Sequence, residues 1–185
     1  MNATRRGPSW SRPIGTGFAI AVGLGLLTLT ACRGLETVTS ALNYDEMLLL
    51  DAEALSEGGI RAAYLELLPE LKRYVGAPDD IEESMNAAAT DYRVRHRDRE
   101  YVVRSDSLAS DEGQDWGRAT SVLFSIVNAQ LEETGYQFYA INSANDLGGM
   151  FLTSAECEAA RRSLLRRMDW PYLPDSTHPW YGQPH

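Results

Sequence analysis

"DYRVRHRDREYVVRS", Asp91 to Ser105, breaks the periodicity of everything around it. Tyr92, Val94 and His96 alternate with Arg93, Arg95 and Arg97, the two-residue repeat of a strand with one buried face. Residues 101–104 continue as a second strand beyond Arg97-Asp98-Arg99. The stretch therefore predicts a β-hairpin with one apolar and one basic face. His96, on the apolar side, reads as a satisfied core histidine. Arginines aligned on one strand repel each other, so the basic face calls for cover, from an acidic helix upstream or from a ligand.

Around this hairpin the repeat is helical. "NYDEMLLLDAEALSEGG", Asn43 to Gly59, predicts a helix capped by Asn43 with Glu46 in capping-box position and stopped by Gly58 and Gly59. It carries Asp45, Glu46, Asp51, Glu53 and Glu57 and no base. Ile60, Tyr64, Leu67, Leu68, Leu71 and Val75 predict a second helix, which Pro69 should kink or split. "PDDIEES", Pro78 to Ser84, predicts a further turn capped by Asp79. After a polar loop, "WGRATSVLFSIVNAQLEETG" (Trp116 to Gly135) predicts a buried central helix with Asp115 as cap. "YQFYAI" and "GMFL" predict two strands joined by the turn-rich Asn142–Gly148 connector. Thr153 and Glu156 then open a last helix, with Cys157, Ala160, Leu164, Leu165 and Met168 on one face and arginines toward the other. Four prolines rule out a regular helix after Trp170. The expected architecture is α+β: an N-terminal helical pair, a small antiparallel sheet of two hairpins, and two further helices packed on it.

The front end is of another kind. Arg5, Arg6 and Arg12 precede "GTGFAIAVGLGLLTLTA", an apolar run with small residues at its exit, the pattern of an export signal. The run is shorter than the roughly 20 apolar residues of a membrane span. The four residues Leu29, Thr30, Ala31 and Cys32 resemble the lipobox of bacterial lipoproteins. That resemblance covers the first 32 residues only. It implies a diacylglyceryl group on the Cys32 thiol, cleavage before it, and acylation, by palmitate for instance, of the new amine. Several acyl chains suffice to hold a soluble domain on a bilayer without a span. Arg33 stands where an Asp often retains such proteins at the inner membrane, which leans toward the periplasmic face of the outer membrane. The chain then divides into a leader (1–31), a tether (32–43), one α+β domain (44–169) and a Pro/aromatic tail (170–185). With Cys32 lipidated, Cys157 has no intramolecular partner and reads as an inert core thiol.

The whole chain carries 17 basic and 26 acidic residues. Without its leader the formal charge is −12, from 14 basic and 26 acidic residues. That balance disfavours nucleic acid, whose phosphates call for a basic surface, and favours a basic protein partner. The sequence has no nucleophile elbow, no H-E-x-x-H, no paired C-x-x-C and no phosphate-binding loop. No cofactor is implied. Asn142, Asn145 and Asp146 are oxygen donors of the kind that ligate Ca²⁺, though turn chemistry accounts for them equally. Glu46 with Glu53, or Glu53 with Glu57, share a helix face as glycosidase carboxylates would, but such faces are commonly just solvated. Trp170, Tyr172, Trp180 and Tyr181 among prolines suit peptide or glycan contact, or packing across their own domain. The reading is a membrane-tethered, non-catalytic binding protein of the bacterial envelope, of the inhibitor or immunity type against an envelope-attacking enzyme. Asp45, Glu46, Asp51, Glu53, Trp170 and Tyr172 are its candidate partner-binding residues. The alternatives are a cell-wall hydrolase using carboxylates and a structural assembly factor.

Overall fold

Every second residue of the hairpin is buried as its alternation predicts, and the strands β3 (Tyr92–His96) and β4 (Arg99–Arg104) flank a turn with Arg97 at φ 55°. The structure, a computed structural model, describes residues 42–108, 111–143 and 146–175. The leader, Cys32, the start of the tether, Asn145, His178, Trp180, Tyr181 and His185 lie outside the described residues. Those described belong to one compact unit spanning 38–185.

The α+β expectation holds, with two antiparallel sheets of three strands each. One sheet has the order β2-β3-β4, with β2 at Ile81–Met85. The other has the order β1-β6-β5, with β1 at Leu48–Leu50, β5 at Tyr136–Ser143 and β6 at Asp146–Thr153. Helix α3 (Glu112–Leu131) packs against both β4 and β5. Ala119, Leu123, Phe124, Ile126 and Val127 of this helix are buried in the main core. The β1-β6-β5 sheet is covered on both faces. Phe138, Ala140 and Leu147 join the main core, while Tyr139, Ile141, Met150 and Leu152 meet Cys157 and Ala160 of helix α4 (Ser154–Ser163). Double cover explains why residues 138–141 and 147–150 are buried in unbroken runs. Phe138 stacks on Phe124 at 4.6 Å and packs against Phe151 at 4.7 Å. Gly149 makes room for its ring, which a Cβ there would strike.

Several elements differ from expectation, each for a local reason. The predicted Asn43–Gly59 helix is instead a 3₁₀ turn (Tyr44–Glu46), strand β1, and helix α1 (Ala52–Ala54). Three consecutive leucines fit a strand better than a stripe: Leu48 and Leu50 pack on the core and Leu49 faces outward. Asp51 starts the helix late, its Oδ1 accepting from Glu53 N at 3.0 Å and Ala54 N at 3.1 Å. Asn43 closes only the short turn, donating to Glu46 Oε1 at 3.0 Å. Gly58 and Gly59 do not turn the chain into a helical hairpin. Gly58 takes φ +99°, and a wide π-type turn (Leu55–Gly59) leads into helix α2 (Ile60–Leu71). The Tyr92 hydroxyl pins that turn, accepting from Ile60 N at 3.3 Å and donating to Glu83 Oε1 at 2.5 Å. Burial, reinforced by Glu83, pushes the Tyr92 pKa far above the usual phenol range, so the donor proton stays on.

Helix α2 runs through Pro69 unsplit, because Leu65, whose carbonyl loses a partner, lies on the exposed side. The predicted turn capped by Asp79 is strand β2: Ile81 is buried opposite His96, and Glu82 stands opposite Arg95. Asp111, not Asp115, caps α3, its Oδ1 accepting from Gln114 N at 2.8 Å. Thr153 and Glu156 form the expected capping box, but α4 stops at Ser163. Leu164 leaves helical geometry, its carbonyl accepts from the Trp170 indole at 3.1 Å, and Leu165 is wholly exposed. The predicted Asn142–Gly148 connector narrows to residues 144–145, since β5 and β6 extend to Ser143 and Asp146. No helix among the described residues is long and apolar enough to cross a membrane.

Candidate functional site

Carboxylates on its own sheet and adjoining loops, rather than the acids of the expected first helix, cover the basic face of the hairpin. Arg93 forks onto Asp91 at 2.7 and 2.9 Å and reaches Glu100 at 2.6 Å. Arg95 pairs with Glu82, and Arg97 meets Asp79 at 2.6 Å. Asp79 also lies 3.0 Å from Nε2 of the buried His96. Its backbone N–H donates to Gln130 Oε1 at 2.8 Å, and its carbonyl accepts from Tyr64. Partial burial raises the Asp79 carboxyl, but the bonds from His96 and Arg97 outweigh it and hold the group below the ordinary carboxylate range. Among the described residues no serine, threonine or cysteine bonds to His96, which is the satisfied core residue expected. Further in, the buried Asp115 joins Arg104 at 2.8 Å and Arg118, which bond in turn to Ala89 O, Ser56 O and Val103 O. These clusters tie sheets, loops and helices together.

Two open places among the described residues bear on binding. The first is the edge strand β1. The opposite edge of its sheet is closed: Asn128 takes both backbone groups of Phe138, at 2.7 and 3.0 Å, and Tyr172 pairs with Ala140 at 2.8 and 3.0 Å. Strand β1 has no such cover among the described residues, and Leu49 is 71% exposed on it. A shallow groove of about 330 Å³ runs beside it, floored by Leu50, Ala54, Ala62 and Ala63. Asp45 and Glu46 precede the strand, Asp51 and Glu53 follow it, and all four are exposed. The sequence singled out these four carboxylates as a helix face; they bracket a sheet edge instead. Solvent rather than an apolar pocket surrounds Glu46, Glu53 and Glu57.

The second is a cleft of about 520 Å³ where the chain leaves α4. Met168, Trp170, Pro171 and Tyr172 wall it, and Asn142, Arg161 and Arg167 give it polar groups. Arg161 steadies the wall, donating from Nε at 3.0 Å and Nη2 at 2.7 Å to Pro171 O. Arg166 holds Asp169 with two bonds of 2.8 Å, so that carboxylate is committed. Arg167 has no acidic partner among the described residues. Asn142 donates from Nδ2 to Met168 O at 2.8 Å, while its Oδ1 is buried without a donor.

Comparison with protein families, curated proteins and solved structures gives no significant match. Trp170 and Tyr172 do converge, with the Pro/aromatic segment packed on its own domain as well as lining a cleft. Of the proposed Ca²⁺ donors, Asn142 is a strand residue lining that cleft, Asp146 is exposed on β6, and Asn145 lies outside the described residues. Among the described residues no group of three or more His, Cys, Asp or Glu is placed to hold a metal. Cys157 is buried in the smaller core as expected. Sequence reasoning missed Leu49 as a surface and gave Arg161 and Arg167 only a place at a helix end.

Proposed function

We propose that this chain is a membrane-tethered, non-catalytic binding protein of the bacterial envelope, held on the periplasmic face of the outer membrane by lipid on Cys32. Its domain engages a basic protein along the edge of β1, as an inhibitor or immunity-type protein does against an envelope-attacking enzyme. The observation that carries this reading is a sheet edge uncovered among the described residues, with an exposed leucine, bracketed by four exposed carboxylates. An open edge offers backbone groups to an added strand, and the apolar groove beside it takes alternate side chains. Surrounding carboxylates steer a basic partner and speed encounter.

The test uses the full-length, lipidated chain in native membranes. Intact mass should show Cys32 as the acylated first residue; an unmodified thiol or a retained leader defeats the anchoring half. Assayed against basic wall-cleaving enzymes, lysozyme among them, the protein should slow digestion of purified wall at near-equimolar ratio. Leu49→Lys should remove that inhibition without unfolding the domain. Equal inhibition by the variant, or none by the wild type across the panel, defeats the binding half.

A further inference from the structure

We propose that the cleft formed by Asn142, Arg161, Arg167, Met168, Trp170 and Pro171 is a second binding site, for the C-terminal end of a peptide with an apolar last residue. It lies away from β1, beside the closed edge of the sheet, and does not depend on the reading given to β1. Three features of the cleft match three features of such a ligand.

The first is charge. On a chain with 26 acidic residues, the described residues lining the cleft include two arginines and no acid. Elsewhere in the fold Arg93, Arg95, Arg97, Arg104 and Arg118 each have a carboxylate partner. Arg161 spends Nε and one Nη2 hydrogen on Pro171 O, which fixes its plane and leaves its other N–H groups unpartnered among the described residues. Arg167 has its whole fork to offer. Planar forks suit a carboxylate. The second feature is the Asn142 side chain, which lines the cleft and is held there by its Nδ2 bond to Met168 O at 2.8 Å. A polar side chain at the wall suits the amide backbone of a last peptide residue. The third is the apolar wall: Met168 adapts to shape, and Trp170, fixed by its bond to Leu164 O, presents a rigid face. A volume near 520 Å³ accommodates one or two residues and falls in the range of small-molecule sites.

The experiment titrates the full-length chain in nonionic detergent with N-acetylphenylalanine and separately with N-acetylphenylalaninamide. The readout is the ¹⁵N-indole signal of Trp170, assigned with Trp170→Phe. The acid should shift that signal saturably at millimolar concentration, and the amide should bind at least tenfold more weakly. Arg167→Gln should lower affinity for the acid to that for the amide, while Leu49→Lys leaves both unchanged. Equal affinity for acid and amide overturns the proposal, as does an Arg167→Gln variant that still prefers the acid. So does a Trp170 signal that fails to move at tens of millimolar. None of these results bears on inhibition through β1, so the two sites fail separately.

Discussion

The arginines of the 91–104 hairpin and those lining the C-terminal cleft carry the same charge on the same acidic chain, yet their surroundings differ. Arg93 and Arg95 lie on β3 and Arg97 in the turn that follows it, and each is answered by a carboxylate on a neighbouring strand, turn or loop. Arg104 and Arg118 share the buried Asp115. In the cleft, Arg161 is tied to a backbone carbonyl and Arg167 to no acid, with Asp169 already taken by Arg166. A basic run in the sequence is thus no sign of an anion site. What matters is whether the fold has already matched the charge.

That contrast can be tested first where the effect is largest. Asp115→Ala strands two partly buried guanidinium groups and should cost about 3–5 kcal/mol in chemical denaturation. A loss under about 1 kcal/mol would mean the paired set is not structural. Gly149→Ala comes next. Its Cβ meets the Phe138 ring, held between Phe124 and Phe151, so overpacking should cost roughly 1–3 kcal/mol. A neutral result would show that the aromatic stack yields.

Acid pH gives a smaller effect. The folded Asp79 carboxyl lies below its ordinary value of 3.8, so its stabilisation is complete above that value and is lost as pH falls through the folded pKa. The stability advantage of wild type over Asp79→Asn should therefore shrink below about pH 4, by under about 1 kcal/mol given its partial exposure. An advantage that grows on acidification would reverse the assignment. Smallest are Arg95→Ala and Arg167→Gln, both expected within about 0.5 kcal/mol of wild type. The first breaks an exposed pair worth little and the second breaks none. A large loss for Arg167→Gln would make it a structural residue and erase the contrast.

The elements legible in the sequence were those whose signals are local. The alternation of Tyr92, Val94 and His96, the apolar stripe of α3 and the Thr153–Glu156 box each specify geometry within a few residues. Strand β1 was not legible, because Leu48-Leu49-Leu50 fits either period and only the edge of β6 selects the strand. Strand β2 was hidden for a similar reason: "IEES" has weak strand character, and Arg95 and His96 across from it supply the pairing. Asp115 reads as the cap of α3 in sequence, but it is buried between Arg104 and Arg118, and Asp111 caps the helix. In the cleft, Asn142, Trp170 and Tyr172 stood out one by one, but their meeting with Arg161 and Arg167 depends on where α4 stops.

The sequence by itself determined the α+β class, the central helix, the hairpin, the inward thiol of Cys157 and the acidic balance, since periodicity, capping and composition act over short stretches. Tertiary structure alone decided which charges are matched, which sheet edge stays open and where the cleft forms. Those outcomes depend on groups distant in the chain, brought together only when the core has chosen which backbone edges and side-chain faces it will bury.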